Sequence, residues 1–184
     1  MEIDWNAELV DQLQPHTADS RSREARRMPV IALRPIEDAD LDALFDQMRD
    51  PEAVQMAAFT AENPDDRRAF GAHMARVRNL PDVTNHAITC DGQLVGSISS
   101  FVSGDETEVT YWIDRAAWGR GIATEALELL LKLVTVRPLH ARAASDNLAS
   151  LRVLQKAGFT IIGTEVSFAP ARNRDIEETI LQLE

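Results

Sequence analysis

The stretch WGRGIATEAL, Trp118 to Leu127, places Gly119 and Gly121 one residue apart, between an alternating apolar run and a helix-like one. Glycine has no Cβ and enters positive φ freely, so these two residues let a tight loop bring its backbone N–H groups against a ligand. The first N–H groups of the helix beginning near Ala123 lack intrahelical partners, and the helix dipole adds roughly half a positive charge there. Together they form an anion site, most simply for phosphate, with Arg120 adding charge at the rim. The plainer alternative is a turn that needs two flexible residues and binds nothing.

Two common phosphate motifs do not fit the spacing. A P-loop requires a Gly-Lys pair followed by Ser or Thr, and the chain contains no Gly-Lys. A dinucleotide fingerprint requires a third glycine where Thr124 stands and an acidic residue about twenty positions later, for which Asp146 comes late.

The elements that must hold this loop alternate between α and β. VIALRPI reads as a strand, and EDADLDALFDQMRD as a helix with Leu41, Leu44, Phe45 and Met48 on one face. Pro51 ends that pattern or begins another turn. DDRRAFGAHMARVRN reads as a second helix. HAITC and LVGSISSFV are strands joined through Asp91-Gly92, a dipeptide that favours a hairpin turn, and EVTYWID is the strand that leads to the loop. After the glycines, Ala123, Ala126, Leu127, Leu130, Leu131 and Val134 mark a helix, closed off downstream by Pro138. LHARAA is a strand, NLASLRVLQKA a helix stopped by Gly158, and FTIIGTEV and IEETILQLE closing strands. The central strand, helix, strand unit predicts at least one parallel pair with a right-handed crossover, the hairpins antiparallel pairs.

Composition narrows the classes. A chain of 184 residues, 45% apolar, is long enough for one globular domain with a sizeable core. The first residues carry neither a basic leader nor an apolar h-region, and no apolar run approaches membrane-spanning length, so a cytoplasmic location is expected. A net charge of −11 argues against nucleic acid or an anionic membrane as the main partner and suits a cationic one. Cys90 is alone, so no internal disulfide can form, and it reads as a small buried strand residue. His16, His73, His86 and His140 show no ligand spacing such as i, i+4, and no metal is expected. In the first dozen residues Trp5, Leu9 and Leu13 recur at helical spacing, and RSREARR (Arg21 to Arg27) reads as a solvated linker. The chain therefore divides into an extension, 1–28, and a main domain, 29–184.

Taken with its flanks, EVTYWIDRAAWGRGIATEAL followed by SDNLASLRVLQKAGF closely resembles the GNAT superfamily of acyl-CoA N-acyltransferases, in particular its Rim-type branch, which acetylates ribosomal-protein N-termini. LRPIEDADLDALFDQMRDPE and GQLVGSIS extend the likeness from about Val30 to the C-terminus. The family's pyrophosphate loop, Arg/Gln-x-x-Gly-x-Gly/Ala, is met by Trp118, Gly119, Arg120, Gly121, Ile122 and Ala123. Trp118 departs from Arg or Gln, and looks like the Rim-type variant.

The resemblance implies an α/β (α+β) GNAT fold: a mixed, mostly antiparallel sheet of six or seven strands, splayed at its centre, with helices on both faces. Acetyl-CoA would lie in the gap, its pantetheine against main-chain groups of the strand ending at Ile113 and its pyrophosphate on Gly119 to Thr124. Asn147 and Ser150 match the family's Asn-x-x-Ser segment. An amide suits the peptide-like pantetheine arm and a hydroxyl can approach the thioester sulfur, although Asn147 is also a good N-cap.

The implied reaction is attack of a primary amine, a protein N-terminus or a small cationic amine, on the acetyl thioester. A lysine-type amine has a pKa of about 10 and must lose a proton first. Glu108 is the candidate base, because strand alternation places it with Thr110 and Trp112 on one face; the alternative is an ordinary strand carboxylate. Backbone N–H groups near the end of that strand could hold the oxyanion. Many members protonate the thiolate with a tyrosine in the second segment; here the only tyrosine is Tyr111, upstream, and Ser150 is the positional match for that acid. A different class of protein also fits: an acyl-CoA sensor or interaction module that has lost catalysis. The resemblance admits a homodimer, against which the N-terminal helix could pack.

Overall fold

A computed structural model describes residues 28–184. The helix expected around Trp5 to Leu13, the basic cluster Arg21 to Arg27 and His16 lie outside the described residues. The chain runs β1 (Ile31–Pro35), α1 (Leu41–Met48), α2 (Pro51–Ala57), α3 (Arg67–Val77), β2 (Thr84–Cys90), β3 (Gln93–Ser103), β4 (Glu106–Ile113), α4 (Ile122–Leu133), β5 (Leu139–Ala144), α5 (Leu148–Lys156), β6 (Thr160–Ala169) and β7 (Arg174–Leu183).

Local chemistry accounts for the boundaries. Asp50 caps α2 by accepting from the N–H groups of Glu52 and Ala53 at 3.1 and 3.0 Å, and Pro51 occupies the first helical position, where no N–H is needed. Pro51 thus begins a helix, and the first of the two readings of that residue gives way to the second. The β2–β3 hairpin turns on Asp91 and Gly92, both at positive φ (50° and 81°), as the Asp-Gly pair predicts. Gly158, at φ 96°, follows α5 and ends it.

The seven strands form one sheet in the order β1-β2-β3-β4-β5-β7-β6. All neighbours are antiparallel except β4 and β5, which pair in parallel only at Thr107–Leu139, Glu108–His140 and Val109–Ala141. From Thr110 to Ile113, β4 keeps its β3 partner and has no β5 residue beside it, so the sheet opens into a gap at its centre. This is the splayed, mixed sheet that the sequence resemblance implies.

Helices cover both faces. On one, Ile122, Ala126, Leu127 and Leu130 of α4 and Leu154 of α5 pack with Ile98, Val109 and Leu139 of the sheet. Each fully buried leucine contributes about 2 kcal/mol. On the other, Leu44 of α1 and Met74 of α3 pack over Ile36 and Ala87. Ala87 and Ile88 are adjacent in β2 and enter opposite cores, as strand alternation demands. No helix among the described residues is long and apolar enough to cross a membrane.

Candidate active site

A cleft of about 360 Å³ occupies the gap beyond Val109. Its floor begins with the loop between β4 and α4. Gly119 and Gly121 sit at φ 73° and 77°, the left-handed region in which side chains are strained. No atom lies within 4 Å of where a Cβ on either would be, so their backbones face open space. Gly121 is the N-cap of α4 and offers no side chain to its first N–H groups, and the first-turn residues Ile122, Ala123 and Thr124 line the cleft. A set of unsatisfied N–H donors at a helix N-terminus, opening on a cavity, is a fitted anion cradle.

Trp118 also lines the cleft, and its indole N–H donates to the carbonyl of Ile113 at 2.8 Å. The indole therefore staples the loop to the end of β4, and the Ile113 carbonyl, expected to face a ligand, already accepts this bond. Arg120 turns the other way. Its guanidinium lies 3.5 Å from the sulfur of Cys90, which is buried in β2, and Arg120 is not part of the cleft wall.

The remaining walls come from α5 and α2. Asn147 caps α5, its side-chain oxygen accepting from the N–H of Ser150 at 3.1 Å, while its amide nitrogen donates to the carbonyl of Met56 at 3.5 Å. Both Asn147 and Ser150 line the cleft, so the cap and the ligand-facing position are the same residue. Tyr111 reaches the cleft from β4 and donates its hydroxyl to the Ser150 carbonyl at 3.4 Å; burial pushes the phenol pKa up against the opposing effect of that bond. Arg152 and Lys156, four residues apart on α5, add two cations to the wall. Sequence reading passed over both, although their i, i+4 spacing after Asn147 puts them on one helical face.

Glu108 lies outside this cleft wall. As alternation predicts, it points to the face opposite Tyr111, the face on which the Trp112 indole donates to the Gln47 carbonyl at 3.1 Å. There Arg142 of β5 is shared among three carboxylates: Glu108 at 3.8 Å, Glu178 at 3.5 Å and Glu165 in direct contact. Glu178 is buried, and burial pushes its carboxyl pKa up, with Glu165 and Glu108 adding to the rise and Arg142 opposing it. His140, beside Glu108 across the β4–β5 ladder, is also buried, with its Nδ1 unpaired.

The family model for the acetyltransferase (GNAT) domain matches residues 31–160. The chain belongs to the GNAT acetyltransferase family. Among curated proteins it is similar to the probable N-acetyltransferase YjcK of Bacillus subtilis, 35% identical over 77 residues, a stretch that spans 38% of this chain and 42% of the relative. Among solved structures it superposes on the ribosomal L7/L12 alpha-N-protein acetyltransferase RimL in complex with coenzyme A, with a TM-score of 0.67, 18% identity and coverage of 82% of this chain and 92% of that one. It also superposes on the ribosomal-protein-alanine N-acetyltransferase of Brucella melitensis, with a TM-score of 0.71, 23% identity and coverage of 83% and 98%.

The GNAT fold assigns a meaning to the gap, and the chain's own residues fit an acyl-CoA there. Bare glycine backbones and an uncapped helix N-terminus suit a pyrophosphate, and Arg152 and Lys156 suit further phosphate charge. Apolar lining from Ala53, Met56 and Val153 suits an alkyl arm.

Proposed function

We propose that this GNAT protein transfers the acetyl group of acetyl-CoA to a primary amine by direct attack, in the manner of the Rim-type branch. The observation that carries the reading is the uncapped N-terminus of α4 behind two left-handed glycines, opening on the gap between β4 and β5.

Acetyl-CoA, the acyl donor, supplies an activated thioester. The amides of Gly119 to Thr124 hold its pyrophosphate, and Asn147 and Ser150 border the arm. The amine approaches on the opposite face of β4. Three carboxylates around one guanidinium leave that face with excess negative charge, which favours an ammonium group before it gives up its proton. Glu108 takes the proton, directly or through water, as the new N–C bond forms and the C–S bond breaks. The Ser150 hydroxyl lines the cleft and relays a proton from water to the departing thiolate. A protein N-terminus is the favoured acceptor, in keeping with the Rim-type likeness; a small cationic amine is the other.

A second reading, a CoA-binding module without turnover, is favoured by the position of Glu108, tied to Arg142 and outside the cleft wall. Acetyl-CoA incubated with peptides bearing free N-termini and with small polyamines, with thiol release followed, separates the two. Amine-dependent release lost in Glu108→Gln supports transfer. Tight CoA binding by calorimetry, with no release above hydrolysis over the whole panel, supports the module.

A further inference from the structure

Arg172 lies beyond the residues matched by the family model, in a short 3-10 turn, Pro170–Arg172, between β6 and β7. Its side chain is only 6% exposed, although it carries a full charge. Such burial calls for dense compensation. Its Nε donates to the carbonyl of Gln55 at 2.9 Å and an Nη to that of Met56 at 3.4 Å, both in the last turn of α2, where carbonyls lack helical partners. Its two Nη atoms also hold both oxygens of Asp146, at 2.6 and 3.0 Å. That bond holds the Asp146 carboxyl below the usual carboxylate range. Asp146 precedes Asn147, whose amide reaches the same Met56 carbonyl.

The chain leaving α2 is strained. Ala58, fully buried, has φ 65° and ψ −51°, and the N–H of Phe59 bonds to the carbonyl of Ala57 at 2.7 Å. This is the rare form of the three-residue γ-turn, on a residue that is not glycine. Such backbone persists only where its surroundings over-determine it. Here the N–H of Ala171, next to Arg172, donates to the Ala58 carbonyl at 3.2 Å. Met56 and Ala57, just before the strained residue, form part of the cleft wall.

The geometry points to Arg172 as a positioning residue that locks the end of α2 to the Asp146–Asn147 segment, so that the width of the cleft and the strained turn at Ala58 are held by one buried guanidinium, paired on its outer side with the exposed Asp146 carboxylate. Ligand in the cleft is then felt at the end of α2, a consequence that rests on the reading of the cleft as a CoA site.

Hydrogen exchange of the full chain, read at Ala58 and Phe59, and CoA calorimetry test this in Arg172→Met, Asp146→Asn and Arg172→Met with Ala58→Gly. Exchange at Ala58 and Phe59 accelerates roughly tenfold or more in both single variants, the scale of a lost charge-assisted hydrogen bond. The CoA Kd rises in parallel, and glycine at 58, which tolerates this φ, recovers part of both effects. A role in folding alone would lower the melting temperature and leave the Kd of the folded variants unchanged, and that result overturns the proposal. If Arg172→Met does not fold, Asp146→Asn, which keeps the side-chain shape, decides it. Absence of CoA binding by the unmutated chain would sink the acetyl-CoA reading, while the exchange rates still decide whether the clamp holds the turn.

Discussion

A Cβ on Gly96 would lie 2.0 Å from the carbonyl oxygen of Trp112 and 3.1 Å from the Cα of Ile113. β3 and β4 approach this closely only because residue 96 has no side chain, and they do so where β4 borders the cleft. Gly96→Ala sets carbon against backbone, which cannot rotate away. We expect a loss of about 1–3 kcal/mol in denaturant unfolding, the usual cost of overpacking, together with weaker CoA binding. A folded variant with unchanged Kd would show that the end of β4 does not shape the cleft.

Gly121→Val tests the cradle. No protein atom opposes a Cβ there, so the fold bears only the left-handed backbone cost, about 1–2 kcal/mol. The valine side chain fills the space in front of the amides. CoA affinity should fall at least about tenfold, equivalent to about 1.4 kcal/mol, while the melting temperature drops modestly. Calorimetry showing an intact Kd would move the pyrophosphate elsewhere.

Glu108→Gln separates chemistry from binding. Glu108 is outside the cleft wall, so the CoA Kd should stay at its original value. Turnover should fall by about 10²–10⁴-fold, the usual contribution of a positioned base. Steady-state rates at saturating donor decide the point, and full activity would return Glu108 to the status of a structural strand carboxylate.

Glu178 gives a stability prediction with a definite sign. Its folded pKa is raised, mainly by burial, so the stability it contributes is present below the unfolded value of about 4.3 and lost as pH rises through the folded one. At pH 7 the carboxylate is a burden, and Arg142 retains Glu165 and Glu108 if Glu178 is neutral. Glu178→Gln should therefore raise Tm at pH 7, by an amount that shrinks as pH falls through the raised folded pKa and is gone below the unfolded value of about 4.3. An unchanged or lower Tm at pH 7 would mean that the Arg142 bond outweighs the burial.

The loop was legible because its chemistry is local: a strand, two spaced glycines and an amphipathic helix lie within about twenty consecutive residues. The cap at Asn147, the Asp91-Gly92 hairpin and the parallel pair at the centre of the sheet were legible for the same reason. α2 was not, since a seven-residue helix entered through Pro51 shows too little periodicity to separate it from a turn. The Arg172 clamp was beyond reach, because its partner Gln55 is 117 residues away and nothing near either residue marks the pairing. Tyr111 was read as merely upstream of the second segment, yet the fold carries its hydroxyl to α5. Nor did the sequence mark the bond by which the Trp118 indole, a departure from the family's Arg or Gln, staples the loop to the Ile113 carbonyl.

The parallel ladder between β4 and β5 is three residue pairs long. It acts as the spine of a book whose covers are a four-stranded and a three-stranded leaf. Only the spine is bonded strand to strand, and beyond it the leaves are joined by the α4 and α5 side chains packed against both. On the proposed reading a long donor seated in the gap would stand in for the absent main-chain bonds, so the protein is expected to be stiffest when loaded, with a melting temperature that climbs with CoA concentration by mass action. On this view the acyl donor is both a reactant and a temporary piece of the sheet.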